Sequence, residues 1–90
     1  MTKIKKGFKL CEVADEFIIV AHGLDNVNFS KVISLNEIAA FLWNKAIELE
    51  DFNADTLAAF VLEDYEIDEE TALKDSQTFI TQLITEGLAE

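Results

Sequence analysis

The stretch FSKVISLNEIAAFLW, from Phe29 to Trp43, changes its period halfway along, and that change decides the fold. Over its first part Phe29, Lys31 and Ile33 fall on one side of an extended chain and Ser30, Val32 and Ser34 on the other, the alternation of a strand. From Leu35 onward Leu35, Ile38, Ala39, Leu42, Ala46 and Leu49 recur at three- and four-residue spacing, with Asn36, Glu37, Lys45 and Glu48 largely off that stripe. A strand therefore hands over to a helix that runs to about Leu49. Ser34 or Asn36 supplies the cap, and Glu37 stands three residues after Ser34 as in a capping box. The mixed polarity of the strand, with Lys31 in it, marks a sheet edge.

Working outward toward the N-terminus, residues 7–13 alternate, with Phe8 and Leu10 opposed to Lys9 and Cys11. Ala14, Asp15 and Glu16 make a polar break before Phe17, Ile18, Ile19, Val20 and Ala21, a β-branched run too short for a helix. These two strands form a hairpin, and Gly23, Asp25, Asn26 and Asn28 mark the loop before the third strand. Toward the C-terminus, Asn53 caps a second helix with Leu57, Phe60 and Val61 as its apolar face, ending near Tyr65. Asp68 caps a third, striped by Ala72, Leu73, Ser76, Phe79, Ile80, Leu83 and Ile84, with Gly87 as a left-handed stop and Leu88 tucked beneath. The order is three strands, then three helices, an α+β layout over residues 1–90 as one domain. A three-stranded sheet is marginal without cover, and the three amphipathic stripes supply it.

Half of the residues are hydrophobic and seven are Phe, too apolar for a disordered tail and too often interrupted by charge for a membrane span. No apolar stretch with a small-residue cleavage site follows the basic residues 1–6, so the cytoplasm is the expected location. The single Cys11 permits no internal disulfide. The net charge of −11 is unevenly placed: residues 1–34 carry five Lys against four acids, and residues 35–90 carry two Lys against fourteen. Such a balance, without a single Arg, speaks against a nucleic-acid partner.

Chemistry-bearing residues are sparse. His22, the one imidazole, has no Ser or Cys in register with it and reads as a surface residue. Cys11 is either a reactive thiol or a small core hydrophobe, and the second reading is preferred. Glu63, Asp64, Glu66, Asp68, Glu69 and Glu70 lack the glycine turn and regular ligand positions of a calcium loop, and read as a solvated helix junction. Phe41 and Trp43 form an aromatic platform or part of the core, with packing favoured. The three glycines are isolated, so there is no phosphate-cradling loop. No catalytic role, cofactor or metal is expected. What remains is the third strand's edge, to which an extended peptide can add as a further strand, with pockets beside it if the third helix packs along that strand. Cover by the chain's own terminus or by a second copy is the alternative.

ISLNEIAAFLW at residues 33–43, EDYEID at 63–68, and the run D-x-x-x-F-x-x-x-L-x-x-x-G-L ending at Leu88 together resemble the PqqD family. Asn36, Ala39, Ala40, Trp43, Asp75, Phe79, Leu83, Gly87 and Leu88 fall in that family's order and spacing, and the likeness spans nearly the whole chain. The resemblance implies a winged helix-turn-helix-like fold, with a three-stranded antiparallel sheet followed by three helices. It also implies a recognition element that binds the leader segment of a ribosomally synthesised precursor peptide and delivers it to a modifying enzyme, often a radical-SAM maturase. The peptide-binding residues it implies are Phe29, Ser30, Lys31, Val32 and Ile33 on the third strand and Leu73, Gln77 and Ile80 on the third helix. Asn36, Asp75, Phe79 and Gly87 match the motif and have structural readings as cap, polar contact, core and helix stop. The competing readings are a subunit that pairs with itself through the third strand and, on the fold outline, a DNA-binding winged helix. Against the second, the third helix offers one cation, Lys74, among several acids.

Overall fold

Two asparagines start two of the helices. The computed structural model describes residues 2–21 and 33–90. In it Asn36 Oδ1 accepts the backbone N–H of Ala39 at 2.8 Å, and Asn53 Oδ1 accepts that of Thr56 at 2.9 Å. Each satisfies one of the donors that a helix start leaves without an intrahelical partner. The elements in chain order are β1 (Thr2–Lys3), β2 (Phe8–Val13), β3 (Glu16–Ala21), β4 (Ile33–Leu35), α1 (Glu37–Leu49), β5 (Asp51–Phe52), α2 (Ala54–Asp64) and α3 (Glu69–Thr85). With Asn36 as the cap, Leu35 belongs to β4 and not to the helical stripe.

Strands β2, β3 and β4 form an antiparallel sheet in that order, so β4 is an outer strand among the described residues. Phe17 faces Leu35, Ile18 faces Ser34 and Ile19 faces Ile33. Because side chains alternate across a strand, Ile19, Ile33 and Leu35 are buried together while Ser34 is exposed on the opposite face. The hairpin between β2 and β3 turns through Ala14 and Asp15, at φ 50° and 68°, between the paired residues Val13 and Glu16. Two central residues with positive φ match the right-handed twist of the flanking strands.

The helices cover one face of this sheet. Leu42, Trp43 and Ala46 of α1, Leu57 and Val61 of α2, and Ala72, Phe79 and Leu83 of α3 share one core with Phe8, Ile19, Ile33 and Leu35. Trp43 is thus a packing residue. Phe41 is half-buried, its ring set edge-on to Tyr65 at 5.2 Å between centroids, and Lys45 Nζ lies over the Phe41 and Phe60 rings. Gly87 takes φ +82° and ends α3, and Leu88 returns its N–H to the Leu83 carbonyl at 2.7 Å with its side chain fully buried.

Several details depart from the sequence reading. Strands β1 and β5 were not foreseen: Thr2 pairs with Phe52 and Lys3 with Asp51, and Phe52 is fully buried. Ile84, assigned to the apolar stripe of the third helix, is 50% exposed. Cys11 is half-buried on β2 and lies outside the core. The third strand, expected over Phe29–Ser34, is described only at Ile33–Leu35; Phe29, Ser30, Lys31, Val32 and the His22 assignment lie outside the described residues.

Candidate functional site

The edge of β4 runs directly into Asn36 and the first turn of α1, and this junction borders a cleft of about 140 Å³ between α1 and α3. Asn36, Ile38, Ala39 and Leu42 line it from the α1 side, and Asp75, Thr78, Phe79 and Gln82 from α3. Leu42 and Phe79 are almost wholly buried and close the floor; Ile38 and Ala39 are half-buried. The cap hydrogen bond fixes Asn36 in place, so one rim of the cleft is held by the same contact that starts α1. On the other side Asp75, Thr78, Phe79 and Gln82 follow at intervals of three, one and three, which puts them on one flank of α3.

Of the residues expected at the site, Ile33 is 6% exposed and belongs to the core, so its side chain does not offer a contact surface. Leu73 lines a different cleft, between α2 and α3, with Asp55, Ala58, Ala59 and Leu62. Gln77 sits on the outer face of α3 with Lys74, Thr78, Thr81 and Thr85. Ile80 is half-buried and packs against the core. None of these three lines the α1–α3 cleft beside β4. Thr78 and Gln82, which line the cleft, were not among the expected residues, because a polar flank beside a core stripe reads as solvated surface. The signal lay in their spacing from Asp75 and Phe79, both already noted in the motif.

The acidic run from Glu63 to Glu70 spans the end of α2 and the start of α3, and Glu63, Asp64, Glu66, Asp68, Glu69 and Glu70 are all exposed, as a solvated junction requires. Thr71, through its side chain, holds the Asp68 carboxyl below the usual carboxylate range. Burial, with the nearby charges of Glu37 and Asp64, pushes the Tyr65 phenol up. Among the described residues no three His, Cys, Asp or Glu side chains are grouped to hold a metal ion, and no helix is long and apolar enough to cross a membrane. On α3, Lys74 is outnumbered by Glu69, Glu70 and Asp75, a balance that repels phosphate.

An antiparallel sheet of β2, β3 and β4 covered on one face by three helices is a small α+β fold, and two solved structures share it. One is the lasso peptide synthetase B1 complexed with the leader peptide, at a TM-score of 0.73 and 17% identity, covering 99% of this chain and 96% of that one. The other is TbiB1 in complex with the TbiA(beta) leader peptide, at a TM-score of 0.75 and 17% identity, covering 98% and 94%. At this identity the likeness is one of fold. The family model for coenzyme PQQ synthesis protein D (PqqD) matches residues 16–89, and the protein belongs to that family. Among curated protein sequences there is no match.

Proposed function

We propose that this protein binds the leader segment of a ribosomally synthesised precursor peptide as an added strand on the β4 edge and presents it to a separate modifying enzyme. The observation that carries this reading is the edge of β4, which has no further strand beside it among the described residues, meeting the α1–α3 cleft at Asn36. A strand edge leaves alternate N–H and C=O groups without partners, which an extended peptide satisfies regardless of its sequence. The neighbouring cleft adds selectivity, since every second side chain of an added strand points to the same face. The fold shared with two proteins captured with leader peptides, and membership of the PqqD family, support the reading. The binding residues within the described structure are the backbone of β4, Ile33 to Leu35, with the α3 flank of Asp75, Thr78 and Gln82. The protein contributes recognition and no catalysis, works in the cytoplasm, and serves a maturase for which the family resemblance points to the radical-SAM class.

Calorimetric titration with synthetic leader peptides from short reading frames beside the gene tests this. Saturable binding in the micromolar range is expected, and methylating alternate peptide-backbone nitrogens of the bound segment abolishes it by removing ladder donors. Binding indifferent to methylation at either set of nitrogens, and to Thr78→Trp, overturns strand addition at this site. No binding by any such peptide, with a mass by light scattering that doubles with concentration, favours self-pairing through the same edge.

A further inference from the structure

Resting on the reading of the β4 edge as a peptide-binding strand, we infer that the cleft selects a leader bearing an apolar residue with a Lys or Arg two positions away. The lining of the cleft carries the argument. Its floor and one wall are apolar (Ile38, Ala39, Leu42, Phe79), and its volume of about 140 Å³ suits a single side chain. Asp75 is the one charged group among its lining residues, with Asn36, Thr78 and Gln82 as neutral polar neighbours.

The Asp75 carboxylate is half-buried and has neither an ion pair nor a hydrogen bond among the described residues. A partly desolvated carboxylate without a partner favours a cation brought to it, and it disfavours an acid. The surroundings strengthen this, because residues 35–90 carry fourteen acids against two Lys.

Strand geometry fixes the register. On the core side of the sheet lie Ile19, Ile33 and Leu35, so a strand added beyond β4 directs residues i and i+2 toward the helices and residue i+1 away from them. An apolar residue seated on Phe79 therefore has its i+2 or i−2 neighbour, not its adjacent one, on the face that carries Asp75. General attraction to an acidic protein would enrich cations anywhere in a ligand. Selection by Asp75 enriches them at this offset.

The test uses a displayed library of random linear peptides panned on the wild-type protein and on Asp75→Asn, a near-isosteric change whose folding a thermal melt verifies. Wild type is expected to enrich an apolar residue with Lys or Arg two positions from it, and Asp75→Asn to keep the apolar preference while the cation falls to background. For one selected peptide, replacing that cation by Gln weakens wild-type binding about tenfold or more, as loss of a charge-assisted hydrogen bond does. It leaves Asp75→Asn binding unchanged. Apolar enrichment without the offset cation overturns this inference and leaves peptide binding standing. Offset-cation enrichment that survives Asp75→Asn overturns Asp75 as its reader, and an absence of any enriched peptide overturns the peptide-binding reading itself. If the variant melts at low temperature, the wild-type enrichment pattern and the Gln-substituted peptide still decide the matter.

Discussion

Lys3 and Glu90 exchange backbone hydrogen bonds, Lys3 N–H to the Glu90 carbonyl at 2.9 Å and Glu90 N–H to the Lys3 carbonyl at 3.0 Å. The first and last described segments thus pair antiparallel. Ile4 bridges Ala89, and Lys5 donates its N–H to the Leu88 carbonyl at 2.9 Å, while β1 pairs with β5 through Thr2–Phe52 and Lys3–Asp51. The N-terminal strand is therefore enclosed between the α1–α2 connection and the chain's end, covering fully buried Phe52 and Leu88.

Lys5→Pro removes one of these donors and leaves the Leu88 carbonyl without it. The expected loss is about 1–3 kcal/mol, read as a lower urea midpoint. Lys5→Ala, which keeps the N–H and trims only an exposed side chain, stays within about 0.5 kcal/mol of wild type. Equal behaviour of the two variants would remove the terminal pairing as a source of stability.

The β2–β3 turn runs against the preference of one of its residues. Ala14 holds φ 50° and Asp15 φ 68°, both left-handed, and only Asp among them visits that region with any ease. Replacing the pair with Asn-Gly (Ala14→Asn with Asp15→Gly) suits a two-residue turn of this form. A gain of about 1 kcal/mol is expected, visible as a higher melting temperature with unchanged far-ultraviolet circular dichroism.

Ser76 is fully buried on α3, and its Oγ has no hydrogen-bond partner among the described residues. A desolvated hydroxyl without a partner costs more than it returns. Ser76→Ala is expected to raise stability by about 1 kcal/mol in urea denaturation. A loss of comparable size would mean that the hydroxyl is satisfied in solution.

The helices were legible because each announces itself twice, by an apolar stripe and by a polar residue at its start: Asn36, Asn53 and Asp68 all stand at N-cap positions. The hairpin was legible from the break at Ala14 and Asp15. Strands β1 and β5 were not, since two residues are too few to display alternation, and the burial of Phe52 depends on partners distant in sequence. Ile33 was read as a contact residue because an edge strand shows its polarity but not which face the helices cover. On α3 the same limit applied: Leu73 and Ile80 lie on the other side of the buried Phe79 stripe from Asp75, Thr78 and Gln82, Gln77 lies on the outer face it shares with Thr78 and Gln82, and periodicity alone does not say which flank meets α1.

Asp68 gives the start of α3 a defined response to acid. The Thr71 side chain holds its carboxyl below the ordinary value of 3.8, so the charged form is favoured by folding. A depressed folded value means that the unfolded chain takes up the proton first. The stabilisation is therefore complete above the unfolded value and disappears as pH falls through the lower folded one. Asp68→Asn lacks this dependence. The stability difference between wild type and variant, measured by urea denaturation from neutral pH downward, is expected to shift against wild type as the medium is acidified through that range. A carbon-detected NMR titration of the Asp68 carboxyl should give a midpoint below 3.8. A midpoint at or above it, with a difference independent of pH, would show that Thr71 does not hold the charged carboxylate at the helix start.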